Sequence, residues 1–150
     1  MDHQIFYHFL PSTFALQDLE CKRIKVSRLN SLNDPFELMP YKRYPREKRK
    51  LYDKVFGRIN KKWGLLSFTE SWEEQLLWSH YGEGHKGIAL GFEILRGEII
   101  KVTYSTDEKR REIGLTDDPN ENEANFLKLA GIKYRLWAYE KEYRILVKLA

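Results

Sequence analysis

The chain closes on its most informative pattern, Tyr139-Glu140-Lys141-Glu142-Tyr143-Arg144. Read with the period of two of a β-strand, Tyr139, Tyr143, Ile145 and Val147 share one face, and Glu140, Glu142 and Arg144 share the other. An apolar face backed by a charged one suits a strand lining core on one side and solvent or a cleft on the other. A carboxylate on such a strand can grip a ribose hydroxyl or activate a nucleophile. The bland reading pairs Arg144 with a cross-strand acid and leaves Glu142 solvated. Further upstream, Trp78-Ser79-His80-Tyr81 is followed by Gly82, Gly84, His85 and Gly87. His80 and His85 across a glycine turn could ligate a metal, but no third ligand stands beside them. Tyr81 and His85 next to small residues could instead flank a planar ligand such as nicotinamide or a base. His8 lies out of phase with Tyr7 and Phe9, so it faces a cleft or solvent if those two face the core. Asn33-Asp34-Pro35-Phe36-Glu37 reads first as an Asx turn rather than a catalytic loop.

The other chemical feature is charge. Ten cations between Lys42 and Lys62 are opposed only by Glu47 and Asp53, a local excess of eight in a chain whose net charge is +4. Leu51, Val55 and Ile59, with Tyr52 and Phe56 beside them, form the apolar stripe of an amphipathic helix over about residues 46–62. Arg46, Lys48, Arg49, Lys50, Lys54, Arg58, Lys61 and Lys62 occupy its other faces. A surface of this kind binds phosphates of nucleic acid or of a nucleotide, or else serves only solubility.

These residues need elements to hold them. Strands are expected at Gln4–Phe9, Ile24–Val26, Gly64–Thr69, Gly87–Glu93, Glu98–Tyr104 and Tyr139–Leu149. A first helix follows Pro11, capped by Ser12 or Thr13. Ser71 and Glu74 spell a capping box for a second helix that Gly82 closes in a left-handed conformation. Asp118-Pro119 starts a helix that stops at Gly131. On the Gly87–Glu93 strand, Gly87, Ala89 and Gly91 share one face, which lets a ligand approach closely. If that face also carries Glu142, the two strands floor a groove. The sum is an α+β fold of about six short, mostly antiparallel strands with three or four helices, one domain over residues 1–150.

Composition agrees with a packed domain. The chain has 150 residues, 42% of them hydrophobic, and 8 Phe, 9 Tyr and 4 Trp supply a core. Cys21 stands alone, which excludes an internal disulfide and a multi-cysteine metal site. No apolar run is long enough to span a bilayer, and Met1-Asp2-His3-Gln4 begins no secretory signal. A cytoplasmic protein is the expectation, without a metal. P-loop, Rossmann, Gly-x-Ser-x-Gly and His-Glu-x-x-His signatures are missing.

Taken in order, Tyr7-His8-Phe9, Leu32-Asn33-Asp34-Pro35-Phe36-Glu37, Leu66-Ser67-Phe68-Thr69-Glu70, Leu77-Trp78-Ser79-His80-Tyr81, His85 to Glu93 and Trp137 to Arg144 resemble a bacterial domain-of-unknown-function family, numbered 2971. Members of that family resemble neighbours of phage-defence genes. At the level of fold, the order of strands is similar to that of ADP-ribosyltransferases. That resemblance implies NAD as cofactor, with His8 holding a ribose hydroxyl, Ser67 or Tyr81 near the nicotinamide, and Glu142 (Glu140 in reserve) stabilising an oxocarbenium-like ribose. It implies catalytic His8, Tyr81 and Glu142, and an NAD site among Tyr7, Ser67, His80, His85 and Gly87. The expected function is then NAD-dependent modification of a macromolecule, such as nucleic acid held by helix 46–62, in phage–host conflict. The alternative is a non-catalytic module that binds nucleic acid or a protein partner. A third reading is a metal-dependent nuclease using Asp34, His80, His85 and Glu142.

Overall fold

A computed structural model of the chain describes residues 2–34, 37–38 and 46–150. Pro35 and Phe36 of the turn motif, and Lys42 and Arg43 of the basic run, lie outside the described residues. The chain divides into two compact units. The first comprises Met1–Val26, Leu66–Lys101 and Ala138–Ile145, and the second Ser27–Leu65, Val102–Trp137 and Leu146–Ala150. The fold is α+β. Among the described residues there are eight strands and five α-helices, more than the pattern predicts, because the count includes strands of two residues and a helix of five.

The first unit is built on β1 (His3–Leu10), β4 (Ile88–Leu95) and β5 (Ile100–Lys101), with the later part of β3 (Trp63–Thr69) and the first residues of β8 (Glu142–Lys148). The sheet order is β4-β1-β3-β8-β5, so β8 is internal. Two strands separate β4 from β8, and the expected groove floored by those two strands does not form. β1 and β4 pair antiparallel along their whole length, from His3 opposite Leu95 to Leu10 opposite Ile88. β1 meets β3 at Tyr7 opposite Thr69, and β5 meets β8 at Ile100 opposite Arg144.

Phe6 and Leu10 are the buried residues of β1, so the period of two brings His8 onto the inward face, not the cleft face. Phe9 packs edge-on against Trp78 of α3 (Gln75–Tyr81), with ring centroids 4.8 Å apart. The start of α3 differs from the expected capping box. Glu74 is the cap and accepts from the Leu76 N–H, while Ser71 Oγ accepts from the Glu73 N–H. α1 (Ser12–Cys21) follows Pro11 without a side-chain cap, because the Ser12 N–H and hydroxyl are directed at Glu83 instead.

In the second unit, β2 (Ser27–Arg28) pairs with the start of β3 and replaces the expected strand at Ile24–Val26. The stretch expected as one strand at Glu98–Tyr104 breaks at buried Val102, leaving β5 in one sheet and β6 (Thr103–Ser105) parallel to β7 (Ile132–Tyr134) in another. A short helix, α4 (Asp107–Arg111), follows β6. The core lies between α2 (Arg46–Lys62) and α5 (Pro119–Ala130), where Tyr52, Val55 and Ile59 meet Phe126, Leu129 and Ala130. Tyr52 stacks on Phe56 at 5.7 Å, and its hydroxyl donates to the Leu38 carbonyl at 2.6 Å. Burial raises the Tyr52 pKa above its ordinary value. Leu51, which the stripe assigned to the core, is 37% exposed, and the true stripe is Tyr52-Val55-Phe56-Ile59. α5 begins as read, with Asp118 Oδ1 accepting from the Asn120 N–H and Pro119 in the first turn.

Two glycines of the turn after α3, Gly82 and Gly87, have packing reasons. Gly82 sits at φ −96°, not left-handed, and an added Cβ would lie 2.8 Å from the Trp78 carbonyl. A Cβ on Gly87 would lie 2.5 Å from the Leu10 carbonyl. Gly87→Ala is therefore expected to lower stability by about 1–3 kcal/mol by overpacking, measured by urea unfolding; a neutral result would show that β1 can yield at Leu10.

Candidate functional site

The charged face of β8 is buried, not wet. Glu142 is 5% exposed and Arg144 1%. Two residues apart on one strand, they point the same way, and the Arg144 guanidinium grips Glu142 with both of its arms. Nε donates to Oε1 at 2.7 Å and Nη2 to Oε2 at 2.8 Å. Such a fork fixes both side chains and offsets part of their desolvation. Glu142 is thus neither solvated, as the bland reading had it, nor a loosely held carboxylate. Beside it in the chain, Glu140 is buried at the end of a 3-10 helix, Arg135–Glu140. The Tyr81 hydroxyl, from the last turn of α3, donates to Glu140 Oε1 at 2.7 Å. Exposed His80 lies with its ring 6.2 Å from Tyr81 and 6.3 Å from Tyr139. The structure therefore brings Tyr81, Glu140 and His80 together.

It does not bring His8 to Glu142. The Phe6 ring lies 4.7 Å from that of Tyr143, so both project from one face of the sheet. His8 shares that face with Phe6, while Glu142, next to Tyr143, projects from the opposite one. His8 Nδ1 lies 2.8 Å from the Ser67 carbonyl, which only accepts, so Nδ1 carries the proton. Burial holds the His8 pKa below its ordinary value, against the opposing pull of the Ser67 carbonyl and of Asp18. Tyr7 sits on the other face opposite Gly91, its ring 3.4 Å from where a Cβ would stand. Gly87 is filled by the Leu10 carbonyl, and His85 is exposed in a left-handed turn at φ 68°. His8 and Glu142 thus project from opposite faces of the sheet, Tyr81 is joined to Glu140, and Tyr7 and Gly87 pack within the fold. Among the described residues, no three His, Cys, Asp or Glu side chains converge as metal ligands, so the nuclease reading has no centre.

Two groups escaped the sequence reading. On the His8 face, the Tyr143 hydroxyl donates to Glu70, and Lys101 Nζ lies 5.5 Å from the Tyr143 ring centroid. In the second unit, buried Glu37 has Lys133 Nζ 3.8 Å from its Oε2, and its carbonyl accepts from the buried Arg110 guanidinium. Lys133 also lies over the Trp137 ring at 4.9 Å. Ile132-Lys133-Tyr134 carried a faint signal, a lone cation between apolar neighbours. Arg110, inside a charged run, carried none.

The cationic helix forms with the bounds expected, Arg46–Lys62. Arg46, Lys48, Arg49, Lys50, Lys54, Arg58, Lys61 and Lys62 are all exposed. Arg46, Lys50, Lys54, Arg58 and Lys62 recur every fourth residue and make one continuous ridge along the helix. Its C-terminal end is tied down on both sides. Arg28 donates to the carbonyls of Asn60 and Lys61 at 3.3 and 3.4 Å, and Glu123 takes Lys62 Nζ at 2.7 Å and the Trp63 indole at 2.8 Å. Those two bonds hold the Glu123 carboxyl below its ordinary pKa.

Residues 77–145 match the model of a family described as protein of unknown function (DUF2971). The match takes in α3, β4 and the Glu140–Arg144 segment, and stops short of α2. No curated protein and no solved structure matches the chain. Among the described residues, no helix is long and apolar enough to cross a membrane.

Two outcomes follow from the geometry. Arg144→Met leaves Glu142 buried without its fork and should cost about 3–5 kcal/mol, as should Glu142→Gln; the double replacement by apolar residues should recover much of it. Denaturant unfolding of the three variants checks this, and single variants as stable as the parent would remove the pair's structural role. For His8, the folded chain favours the neutral ring, so its contribution is intact above about pH 6.5 and is lost as pH falls through the lowered folded value. Melting temperature should fall as pH drops below about 6.5, and His8→Gln should flatten that fall; an unchanged slope in the variant would contradict it.

Proposed function

We propose that the protein is a nucleic-acid-binding module whose contact surface is the outer face of α2. The observation that supports this reading is the ridge Arg46-Lys50-Lys54-Arg58-Lys62, with Lys61 beside it, on a helix whose other side is fixed in the core. Solubility is served by mixed charge and needs no unbroken ridge of one sign. Like charges four residues apart work against the helix. A row of cations with water on one side and a rigid support on the other suits a row of phosphates.

The test is the salt dependence of binding to a labelled DNA duplex, read by fluorescence anisotropy. Contacts from Lys50, Lys54, Arg58 and Lys61 to four phosphates predict a slope of log K against log salt near −3.6, about 0.9 per contact. Lys54→Ala and Arg58→Ala should each make it shallower by about 1. No binding at low salt, or unchanged affinity in Lys54→Glu/Arg58→Glu, would refute the reading. Calorimetric titration with NAD separates it from the transferase reading. The module takes up no NAD, whereas saturable uptake weakened by Tyr81→Phe would reinstate the transferase.

A further inference from the structure

Gly57 occupies the middle of the exposed side of α2, where the helix has no use for a glycine. It is not at a cap or a kink, and its φ is not in the left-handed region. Among the described residues, an added Cβ would meet nothing within 4 Å, so these residues do not require its absence. A glycine inside a helix is destabilising relative to alanine. Its neighbours on the helix surface are Asp53 and Lys54, four and three residues before it, and Asn60 and Lys61, three and four after, with Arg58 adjacent; the Asn60 amide oxygen accepts from the Asn30 N–H. Lys50, Lys54, Gly57 and Lys61 lie along one line of the helix, opposite buried Tyr52, Val55 and Ile59, and Lys50 and Lys61 are about 16 Å apart along the axis.

We infer that Gly57 is a clearance point. A sugar–phosphate backbone crosses α2 there, lying against the bare helix with Lys54 before it along the axis and Arg58 and Lys61 after. This rests on the reading of α2 as a nucleic-acid surface and specifies what that surface takes. The line offers cations and a gap. It carries no Asn or Gln to read a base edge. The aromatic residues of α2, Tyr52 and Phe56, stack on each other and pack at a tilt against Phe126 in the core, so the helix presents no platform for unpaired bases. The ligand is therefore the backbone of a double-stranded nucleic acid, recognised without regard to sequence.

The full-length protein, Gly57→Ala and Gly57→Leu are compared by anisotropy on two DNA duplexes of unrelated sequence, an RNA duplex and a single strand of the same length, with melting temperatures measured alongside. The wild type should bind the two DNA duplexes within about twofold of each other, and the single strand at least about tenfold more weakly. The RNA arm identifies which duplex fits better. Gly57→Ala should melt about 2–4 °C higher than the wild type, and Gly57→Leu no lower than it. Gly57→Leu should weaken duplex binding about tenfold or more, and Gly57→Ala by less. A more stable protein that binds less well separates clearance from a structural defect. If the wild type binds duplex and Gly57→Leu binds equally well, the clearance role falls while the nucleic-acid reading stands. A stronger preference for single strand, or strong dependence on sequence, overturns the duplex assignment. If the wild type binds none of the four, the reading of α2 itself fails.

Discussion

A guanidinium and a carboxylate held together on an internal strand constrain the whole first unit. Neither Arg144 nor Glu142 reaches bulk water, so each depends on the other, and the fork works only while β8 keeps its two-residue alternation. That alternation sends Tyr143 to the opposite face, where its ring meets Phe6 and its hydroxyl meets Glu70. Phe6 in turn sets the phase of β1, and the long β1–β4 ladder carries that phase to the sheet edge. A one-residue slip of β8 would bury Tyr143 where the ion pair belongs and turn both charges towards the aromatic face. The ion pair therefore does more for uniqueness of register than for net stability, since an apolar pair of similar volume would cost less to bury.

Much of the second unit was legible in the sequence because local rules and tertiary packing agree there. Cations around an apolar stripe gave α2 its bounds, and Asp118-Pro119 gave α5 its start. Leu51 misled because a stripe can be drawn through either Leu51 or Tyr52, and only the position of Phe126 decides between them. Ser71 and Glu74 have the spacing of a capping box, yet the helix begins one residue after Glu74. Capping motifs name side chains able to accept, not the turn they will accept from.

The candidate site was legible by residue and illegible by face. The sequence pointed to Tyr81, Glu140 and Glu142, and the structure draws Tyr81 onto Glu140. Alternation showed that Glu142 and Arg144 share a side of their strand, but not that this side is dry, because burial comes from what packs above it. The separation of His8 from Glu142 depends on the order β4-β1-β3-β8 and on one ring contact, and neither is encoded locally. The burial of Glu37, Arg110 and Lys133 together was hidden for the same reason. A charge is normally a surface residue, and only its partners reveal the exception.

The helix that carries the functional reading is at odds with its own stability. Along Arg46, Lys50, Lys54, Arg58 and Lys62 each adjacent pair repels, at about 0.2–0.5 kcal/mol a pair, and Gly57 adds a further penalty of about 0.5–1 kcal/mol. The end of the ridge is relieved where Glu123 takes Lys62, and exposed Asp53 lies three residues after Lys50. Packing of Tyr52, Val55 and Ile59 on α5 is what keeps the helix formed. A cationic ridge that works against its own helix is what the reading proposed for α2 accounts for. On that reading, a polyanion would supply the compensation: it would offset the repulsion along the ridge and occupy the gap at Gly57.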